Sequence, residues 1–175
     1  MYLDGQINFT TVIRDITERK SSEEKINRLA MTDALTGLAN RNKFQQLLNE
    51  AIDMADRHKD KFVLLMMDLD KFKPVNDQYG HLMGDTVLVN VASKLNSIFR
   101  AIDTVARYGG DEFAVIITAL HENKDALPSI NRVIARINET MVVDGKTIDV
   151  GISIGASVYP DDAVDAESLI SHADK

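Results

Sequence analysis

The sequence is poor in several features that support thiol chemistry or membrane insertion. Its 175 residues include no cysteine and no tryptophan. The lack of cysteine excludes disulfide bonds, thiolate metal ligands and cysteine nucleophiles. The longest apolar run, Phe62–Met67, is far shorter than the roughly 20 residues that cross a bilayer, and no secretory signal is visible at Met1. We therefore expect a cytoplasmic segment without direct membrane contact, in a parent protein that could be tethered to a membrane upstream.

Basic residues are also in the minority. Lysine and arginine number 20 against 27 aspartates and glutamates, which gives a net charge of −7. This balance argues against nucleic acid as a partner, because nucleic-acid binding relies on a basic surface. An acidic protein can still bind a polyphosphate when a divalent cation bridges the two negative partners.

The first residues differ in pattern from the rest of the chain. Residues 1–17 read as the last strand of an upstream domain, with Ile7, Phe9 and Val12 apolar and no hairpin partner nearby. Residues 18–31 are charged with a narrow apolar stripe, which predicts a connecting helix that is too short to establish a coiled coil. The main domain is expected to occupy residues 32–175.

The hydrophobic pattern of the main domain predicts a mixed α+β fold. Apolar residues at helical spacing come first, and a short buried strand follows them. From that strand onward the order is βαββαβ, typical of a ferredoxin-like fold with an antiparallel sheet and helices packed on one face. The predicted elements are a strand from Phe62, a helix over 80–99, a hairpin that pairs Thr104–Arg107 with Glu112–Ile117, a helix over 126–139, a strand after the Asp144-Gly145 turn, and a last helix from Ala166.

Four carboxylates lie where this fold would place chemistry. Asp68 and Asp70 end the buried strand and would share one face, because side chains alternate along an extended strand. Asp111 and Glu112 directly follow the Gly-Gly turn of the hairpin. Such pairs are often solvated surface or helix caps. Here the first strand and the hairpin are neighbours, so Asp68 and Asp111 can converge at one sheet edge and bind Mg²⁺ in a nucleotidyl-transfer site.

Several ordered motifs carry a family resemblance. They are RYGGDEF at Arg107–Phe113, DALTGLANR at Asp33–Arg41, DLDKFKPVND at Asp68–Asp77, GHLMGD at Gly80–Asp85 and SIGAS at Ser153–Ser157. Together they resemble the GGDEF domains of diguanylate cyclases, which condense two GTP molecules into cyclic di-GMP and two pyrophosphates on a palm-type relative of the ferredoxin-like fold. The segment IRDITERK is similar to the exit of a PAS-type sensor domain.

The resemblance implies a catalytic centre at the sheet edge. It assigns Asp68, Asp111 and Glu112 to catalysis, with Glu112 near the nucleotide. Asp68, Asp111 and the main-chain carbonyl of Leu69 would hold Mg²⁺, for which Mn²⁺ could substitute. Gly109 and Gly110 would let the GTP phosphates approach the hairpin backbone.

The resemblance also implies a substrate site and a dimer. Asn76 and Asp85 would read guanine, because a carboxylate accepts from both N1–H and the 2-amino group while an amide serves the base edge. Lys73 and the main chain at Phe72 would face the phosphates. One domain binds one GTP, so catalysis would need a homodimer with two domains face to face.

The motif Arg100-Ala-Ile-Asp103 matches the family's product-inhibition site. Arg100 and Asp103 would grip cyclic di-GMP, joined by Arg132 from the next helix, with Arg136 a weaker candidate. The alternative is an ordinary ion pair at a helix end. Near the start of the domain we interpret Asp33, Asn40 and Arg41 as a turn and ion-pair network. Arg107 could orient a phosphate or a catalytic carboxylate, or it could form a structural salt bridge.

Two other functions remain open from the sequence. A cyclic di-GMP receptor without catalysis would use only the Arg100 site, and a GTP-binding regulatory module would serve another output domain. In the family, the last helix continues into a segment whose lysine and arginine contact the GTP phosphates. The sequence ends before that segment, at Lys175, so we expect a domain truncated at its C-terminal helix.

Overall fold

The computed structural model describes residues 2–3, 6–7, 30–120 and 123–175. At the start of the chain, β1 (Tyr2–Leu3) pairs antiparallel with β2 (Gln6–Ile7). The expectation that the strand containing Ile7 has no hairpin partner is therefore wrong. The rest of that strand and most of the connecting helix lie outside the described residues.

The main sheet has four antiparallel strands, in the order β4-β5-β3-β8. β3 and β5 are the two middle strands, as the βαββαβ prediction requires, and the predicted hairpin of β4 and β5 is confirmed. The strands span Lys61–Asp70 (β3), Thr104–Gly109 (β4), Glu112–Leu120 (β5) and Gly151–Tyr159 (β8). A separate hairpin of β6 (Met141–Val143) and β7 (Lys146–Ile148) turns at Asp144 and Gly145, both of which have a positive φ.

Helices cover both faces of this sheet. Those within the βαββαβ order pack on one face, as expected, and the two outside that order, at residues 41–58 and 166–173, cover the other face. Val63, Leu65 and Met67 of β3 point to one core, with α2, α3 and α4 above them. Phe62 and Leu64 point to the other core, with α1 and α5. The helices span Arg41–His58 (α1), Phe72–Tyr79 (α2), His81–Ile98 (α3), Leu127–Ile137 (α4) and Ala166–Ala173 (α5).

Local sequence explains where these helices begin and end. The Asn40 side chain accepts from the Lys43 N–H and so caps the start of α1. Asp165 does the same for α5 through Ser168. A 3₁₀ turn precedes α4, and Pro128 lies within the first turn of that helix, where its missing N–H costs no hydrogen bond. No helix among the described residues is long and apolar enough to span a membrane.

Candidate active site

Three acidic residues lie near one another where β3 ends and β5 begins. Asp68 lies opposite Glu112 in the antiparallel register, and Asp111 precedes Glu112 in the turn. β3 continues past this pair, so Leu69 is paired with β8 but not with β5. The sheet therefore brings together the residues that the sequence predicts for catalysis.

Asp68 and Asp70 have different surroundings although both are exposed on the same side of β3. The Ser153 hydroxyl donates to Asp70 Oδ1 over 2.8 Å. Asp68 has no hydrogen bond or ion pair within the described part of the chain. Of the Asp-x-Asp pair, Asp68 is thus the carboxylate that has both oxygens left for a ligand.

We call the group of Asp68, Asp111 and Glu112, at the ends of the two middle strands, the acidic edge. The negative charges of this group repel one another. Burial raises the pKa of Asp68, and the negative charges of neighbours led by Asp111 raise it further. Burial also raises the pKa of Glu112, followed by the charges of Asp68 and Asp174. Repulsion between close carboxylates is relieved when a cation binds between them.

A cleft of about 390 Å³ opens at this edge, lined by Asp68, Glu112 and the end of α5 at Asp174. α5 approaches β8 closely because Gly155 has no side chain, since a Cβ there would overlap the carbonyl oxygen of Ala173. Asp174 is a site residue that the sequence reasoning missed. No local pattern reveals where the end of a helix will lie on a sheet.

The donor set fits magnesium better than a softer metal. Among the described residues, no three histidine or carboxylate side chains are grouped closely enough to hold a metal ion. Mg²⁺ is commonly bound by one or two carboxylates, with waters and substrate phosphates completing its six oxygen ligands. Zinc sites instead use nitrogen and sulfur ligands. The edge thus suits an ion that arrives with a phosphate.

The turn between β4 and β5 is held by Arg107. Its Nε and Nη2 donate to the Gly110 carbonyl oxygen over 2.9 and 2.8 Å, and its Nη1 lies 3.2 Å from Asp33 Oδ1. Gly110 has a φ of +51°, a conformation that favours glycine. Of the two roles considered for Arg107, the structure has the salt bridge.

Tyr108 forms a bulge in this hairpin and anchors it to α1. Its ring makes an edge contact with Phe44, at 5.6 Å between centroids, and the Arg41 guanidinium lies 4.5 Å above it. Arg41 therefore belongs to a cation–π contact, not to the predicted ion-pair network. The sequence analysis missed this role of Tyr108.

Asn40 joins the preceding residues to the domain. Its Nδ2 donates to the carbonyl oxygens of Ala30 and Thr32, at 2.9 and 3.4 Å, while its Oδ1 caps α1. The Ala39 carbonyl accepts from the Arg107 N–H over 2.9 Å. The predicted network of Asp33 and Asn40 is confirmed, and through Arg107 it extends to the hairpin of β4 and β5.

A second group of predicted residues lies on α2 and α3, directly after the acidic edge. Lys71, with a φ of 64°, turns the chain from β3 into α2. On α2, Lys73 is exposed, Phe72 is buried and Asn76 is half-buried, and Asp85 is exposed near the start of α3. Within the described residues, neither the Asn76 amide nor the Asp85 carboxylate has a hydrogen-bond or ion-pair partner. Both remain available to a ligand.

Comparison with known families agrees with this arrangement. The profile described as diguanylate cyclase, GGDEF domain, matches residues 30–175. The chain belongs to the GGDEF domain family.

Two curated relatives show how far the GGDEF likeness extends. An uncharacterized signaling protein of Caulobacter vibrioides is 42% identical over 163 residues, covering 93% of this chain and 20% of that protein. Diguanylate cyclase TpbB of Pseudomonas aeruginosa is 40% identical over 143 residues, covering 81% of this chain and 33% of that protein. The chain thus spans about a third or less of these relatives. Some other GGDEF relatives are named cyclic di-GMP phosphodiesterases.

Solved GGDEF structures confirm the antiparallel palm-like fold with flanking helices. The GGDEF domain of TpbB superposes with a TM-score of 0.79 at 40% identity, covering 82% of this chain and 84% of that one. The coiled coil and GGDEF domain of DgcB from Caulobacter crescentus, in complex with cyclic di-GMP, gives a TM-score of 0.82 at 27% identity, covering 91% and 84%.

The Arg-x-x-Asp motif of this GGDEF domain forms a tight turn after α3. Asp103 Oδ2 accepts from the Arg100 N–H over 2.9 Å, and its Oδ1 accepts from the Thr118 N–H over 3.2 Å. Arg132 Nη2 donates to the Ile98 carbonyl over 3.4 Å, which brings α4 to the same corner. The Arg100 guanidinium is exposed and has no partner among the described residues. The ion pair considered as the alternative for this helix end is therefore not formed.

Proposed function

We propose that this GGDEF domain is a diguanylate cyclase, which condenses two GTP molecules into cyclic di-GMP and two pyrophosphates. The observation that carries the proposal is the acidic edge. Asp68, Asp111 and Glu112 lie together beside a glycine turn, without an ion pair in the described part of the chain. The name of TpbB and the cyclic di-GMP complex of DgcB support the same reaction.

The acidic edge would hold the metal. Asp68 and Asp111, with the main-chain carbonyl of Leu69, would bind Mg²⁺, and Mn²⁺ would substitute for it. When bound, the metal neutralises negative charge on the attacked phosphate and on the departing pyrophosphate. Glu112 borders the same cleft and would contact the metal or the nucleotide.

The neighbouring residues would bind and orient GTP. A Cβ on Gly109 would meet only the Glu112 carboxylate, at 3.8 Å, so the free fold leaves open space there for the phosphates. The exposed Lys73 and the start of α2 at Phe72 follow directly from the metal edge and would face the phosphates. Asn76 and Asp85 would hold the guanine.

The reaction joins two substrates across two domains. The 3′-oxygen of one GTP attacks the α-phosphorus of the other, a phosphodiester bond forms, and the bond to pyrophosphate breaks. The hydroxyl proton leaves with solvent, and a second identical step closes the ring. Because each domain would bind one guanine, at Asn76 and Asp85, two domains must face each other to align both substrates.

Cyclic di-GMP would inhibit this enzyme at the corner after α3. The free guanidinium of Arg100 would donate to a guanine or a phosphate of the product, assisted by Arg132, whose Nη2 donates to the Ile98 carbonyl at the end of α3. The Asp103 carboxylate already accepts two backbone N–H groups but has further lone pairs for a guanine edge. Residues 1–31 would be the tail of a sensor domain followed by a connecting helix, and they would set the relative position of the two cyclase domains.

The first test is GTP conversion with Mg²⁺ on nucleotide-stripped protein, with products separated by chromatography. We expect cyclic di-GMP from the wild type and at least about a hundredfold less from Asp111→Ala, which removes a metal ligand. Asp53→Ala, an exposed carboxylate on α1, is the matched control and should keep full activity. The rate per domain should rise with protein concentration if a dimer is needed.

The other outcomes identify the alternatives. Cyclic di-GMP binding without turnover, persisting when the chain is extended beyond Lys175, would indicate a receptor. GTP binding without turnover would indicate a regulatory module. Equal activity of Asp111→Ala and wild type would overturn the metal site.

A further inference from the structure

Gly84 is a buried residue of α3 that packs against α2. A Cβ built on Gly84 would overlap the side-chain oxygen of Asn76 and would come within 3.0 Å of Asn76 Cγ and 3.1 Å of Phe72 Cζ. The Asn76 amide therefore occupies the space in which any other residue would carry its side chain. The Asn76 amide can lie in this position only because residue 84 is glycine.

The backbone conformation at position 84 does not require glycine. Gly84 lies in the helix interior, and its φ is outside the left-handed region that glycine alone adopts readily. Glycine inside a helix costs about 1 kcal/mol relative to alanine. The packing of Asn76 is the feature that an alanine would disturb.

Packing is also the interaction that positions Asn76. Its amide makes no hydrogen bond to the described residues, and it is half-buried. The bare backbone of Gly84 on one side thus sets where the amide lies. Asp85, the next residue along α3, is exposed, and its carboxylate has no hydrogen-bond or ion-pair partner among the described residues.

We propose that Gly84 is a positioning residue for base recognition, whose missing Cβ seats the Asn76 amide next to the Asp85 carboxylate. The proposal rests on the proposed function, in which these two side chains read guanine. The carboxylate accepts from two N–H groups of guanine, whereas adenine presents a lone pair at N1 and lacks the 2-amino group. A displaced amide weakens guanine binding and reduces its preference over adenine.

Equilibrium binding of GDP, which carries the base without being a substrate for cyclisation, tests the proposal independently of turnover. Titration calorimetry on Gly84→Ala should give a dissociation constant about tenfold higher than wild type, the scale of one lost hydrogen bond to the base. The ratio of GDP to ADP affinity should fall with it. Asn90→Ala, an exposed position on the same helix, is the matched control and should bind GDP as wild type does.

A double-mutant cycle with Asn76→Ala separates positioning from a general packing effect. If Gly84 acts by making room for Asn76, then Gly84→Ala added to Asn76→Ala leaves GDP affinity unchanged. A further loss of similar size in the double variant would show a merely structural role. The cycle also covers a Gly84→Ala protein that fails to fold, because the double variant lacks the amide that obstructs the new methyl group.

The two proposals fail in different ways. Wild-type protein that binds neither GDP nor GTP would refute the guanine site itself. Wild type that binds GDP, with a Gly84→Ala dissociation constant within twofold of it, would refute only the role of Gly84.

Discussion

Asp33 at the start of the domain and Asp68 at the end of β3 are carboxylates in opposite situations. Burial alone would raise the pKa of Asp33, but hydrogen bonds from Thr36 and Arg107 outweigh it and hold that pKa below its ordinary value. Burial and neighbouring negative charges raise the pKa of Asp68. Asp33 thus receives protein donors that stabilise its charged form, whereas Asp68 has no hydrogen-bond or ion-pair partner among the described residues.

Removing the donor to Asp33 gives the largest stability effect that this comparison predicts. Arg107→Ala leaves the Asp33 carboxylate and the Gly110 carbonyl without their guanidinium donor, which should lower the free energy of unfolding by about 1–3 kcal/mol. Thermal or urea unfolding measures this. Arg136→Ala is the control, because its ion pair with Glu139 is exposed and such pairs contribute about 0–1 kcal/mol. Equal losses in both variants would contradict the distinction.

Asp103 challenges the comparison, since it accepts backbone donors like Asp33 but is proposed to bind a ligand. Arg100→Ala should weaken cyclic di-GMP binding about tenfold without affecting the fold, because its guanidinium has no partner in the described residues. Asp103→Ala should weaken binding and also lower stability, because two N–H groups lose their acceptor. Calorimetry with cyclic di-GMP and unfolding curves measure both. Unchanged product affinity in Arg100→Ala would refute the inhibitory site.

Acid should act on Asp33 in a direction that the pKa shift fixes. Because the native pKa lies below the ordinary 3.8, the carboxylate stabilises the native state above that pH and loses this contribution as the pH falls through the native pKa. Asp33→Asn should therefore lower stability at about pH 6 and much less at about pH 2.5. Urea midpoints of both proteins at the two pH values check this. A constant difference would show that charge is not the cause.

The smallest expected change in stability is a gain, in contrast to the losses predicted above. Asp68→Asn in metal-free buffer at neutral pH should raise stability by a few tenths of a kcal/mol, because it removes one of several repelling charges near the surface. Added Mg²⁺ should stabilise the wild type and not the variant. A destabilised Asp68→Asn protein without metal would mean that Asp68 has a structural role like that of Asp33.

The sequence predicts the acidic edge well because its determinants are local. Strand alternation places Asp68, the Gly-Gly turn places Asp111 and Glu112, and strand order makes the two segments neighbours. α2 was missed because it is short and buries only Phe72 and Val75. The apolar run Phe62–Met67 does predict helices on both faces of the sheet, because a continuous apolar run indicates a strand that is buried on both sides.

Other features depend on contacts that no local pattern encodes. Asp174 reaches the cleft only because α5 packs closely on β8. The importance of Gly84 appears only when Asn76 is seen to occupy the space of a Cβ. Asp103 accepts from backbone N–H groups and does not form the ion pair with Arg100 that was the alternative, and residue types alone do not distinguish these two arrangements.

The Asn40 side chain has a mechanical consequence for the residues that precede the domain. Its Nδ2 donates to the carbonyls of Ala30 and Thr32, and its Oδ1 caps α1. One side chain thus connects residues 30–32 to the start of α1. A torque applied ahead of Ala30 must either break those bonds or turn the start of α1 with it. Phe44 of α1 contacts the Tyr108 ring, and Arg107 binds both Asp33 and the Gly110 carbonyl. A rotation of α1 would therefore also move the turn between β4 and β5. One amide side chain and one guanidinium thus connect residue 30 to the turn that precedes Glu112.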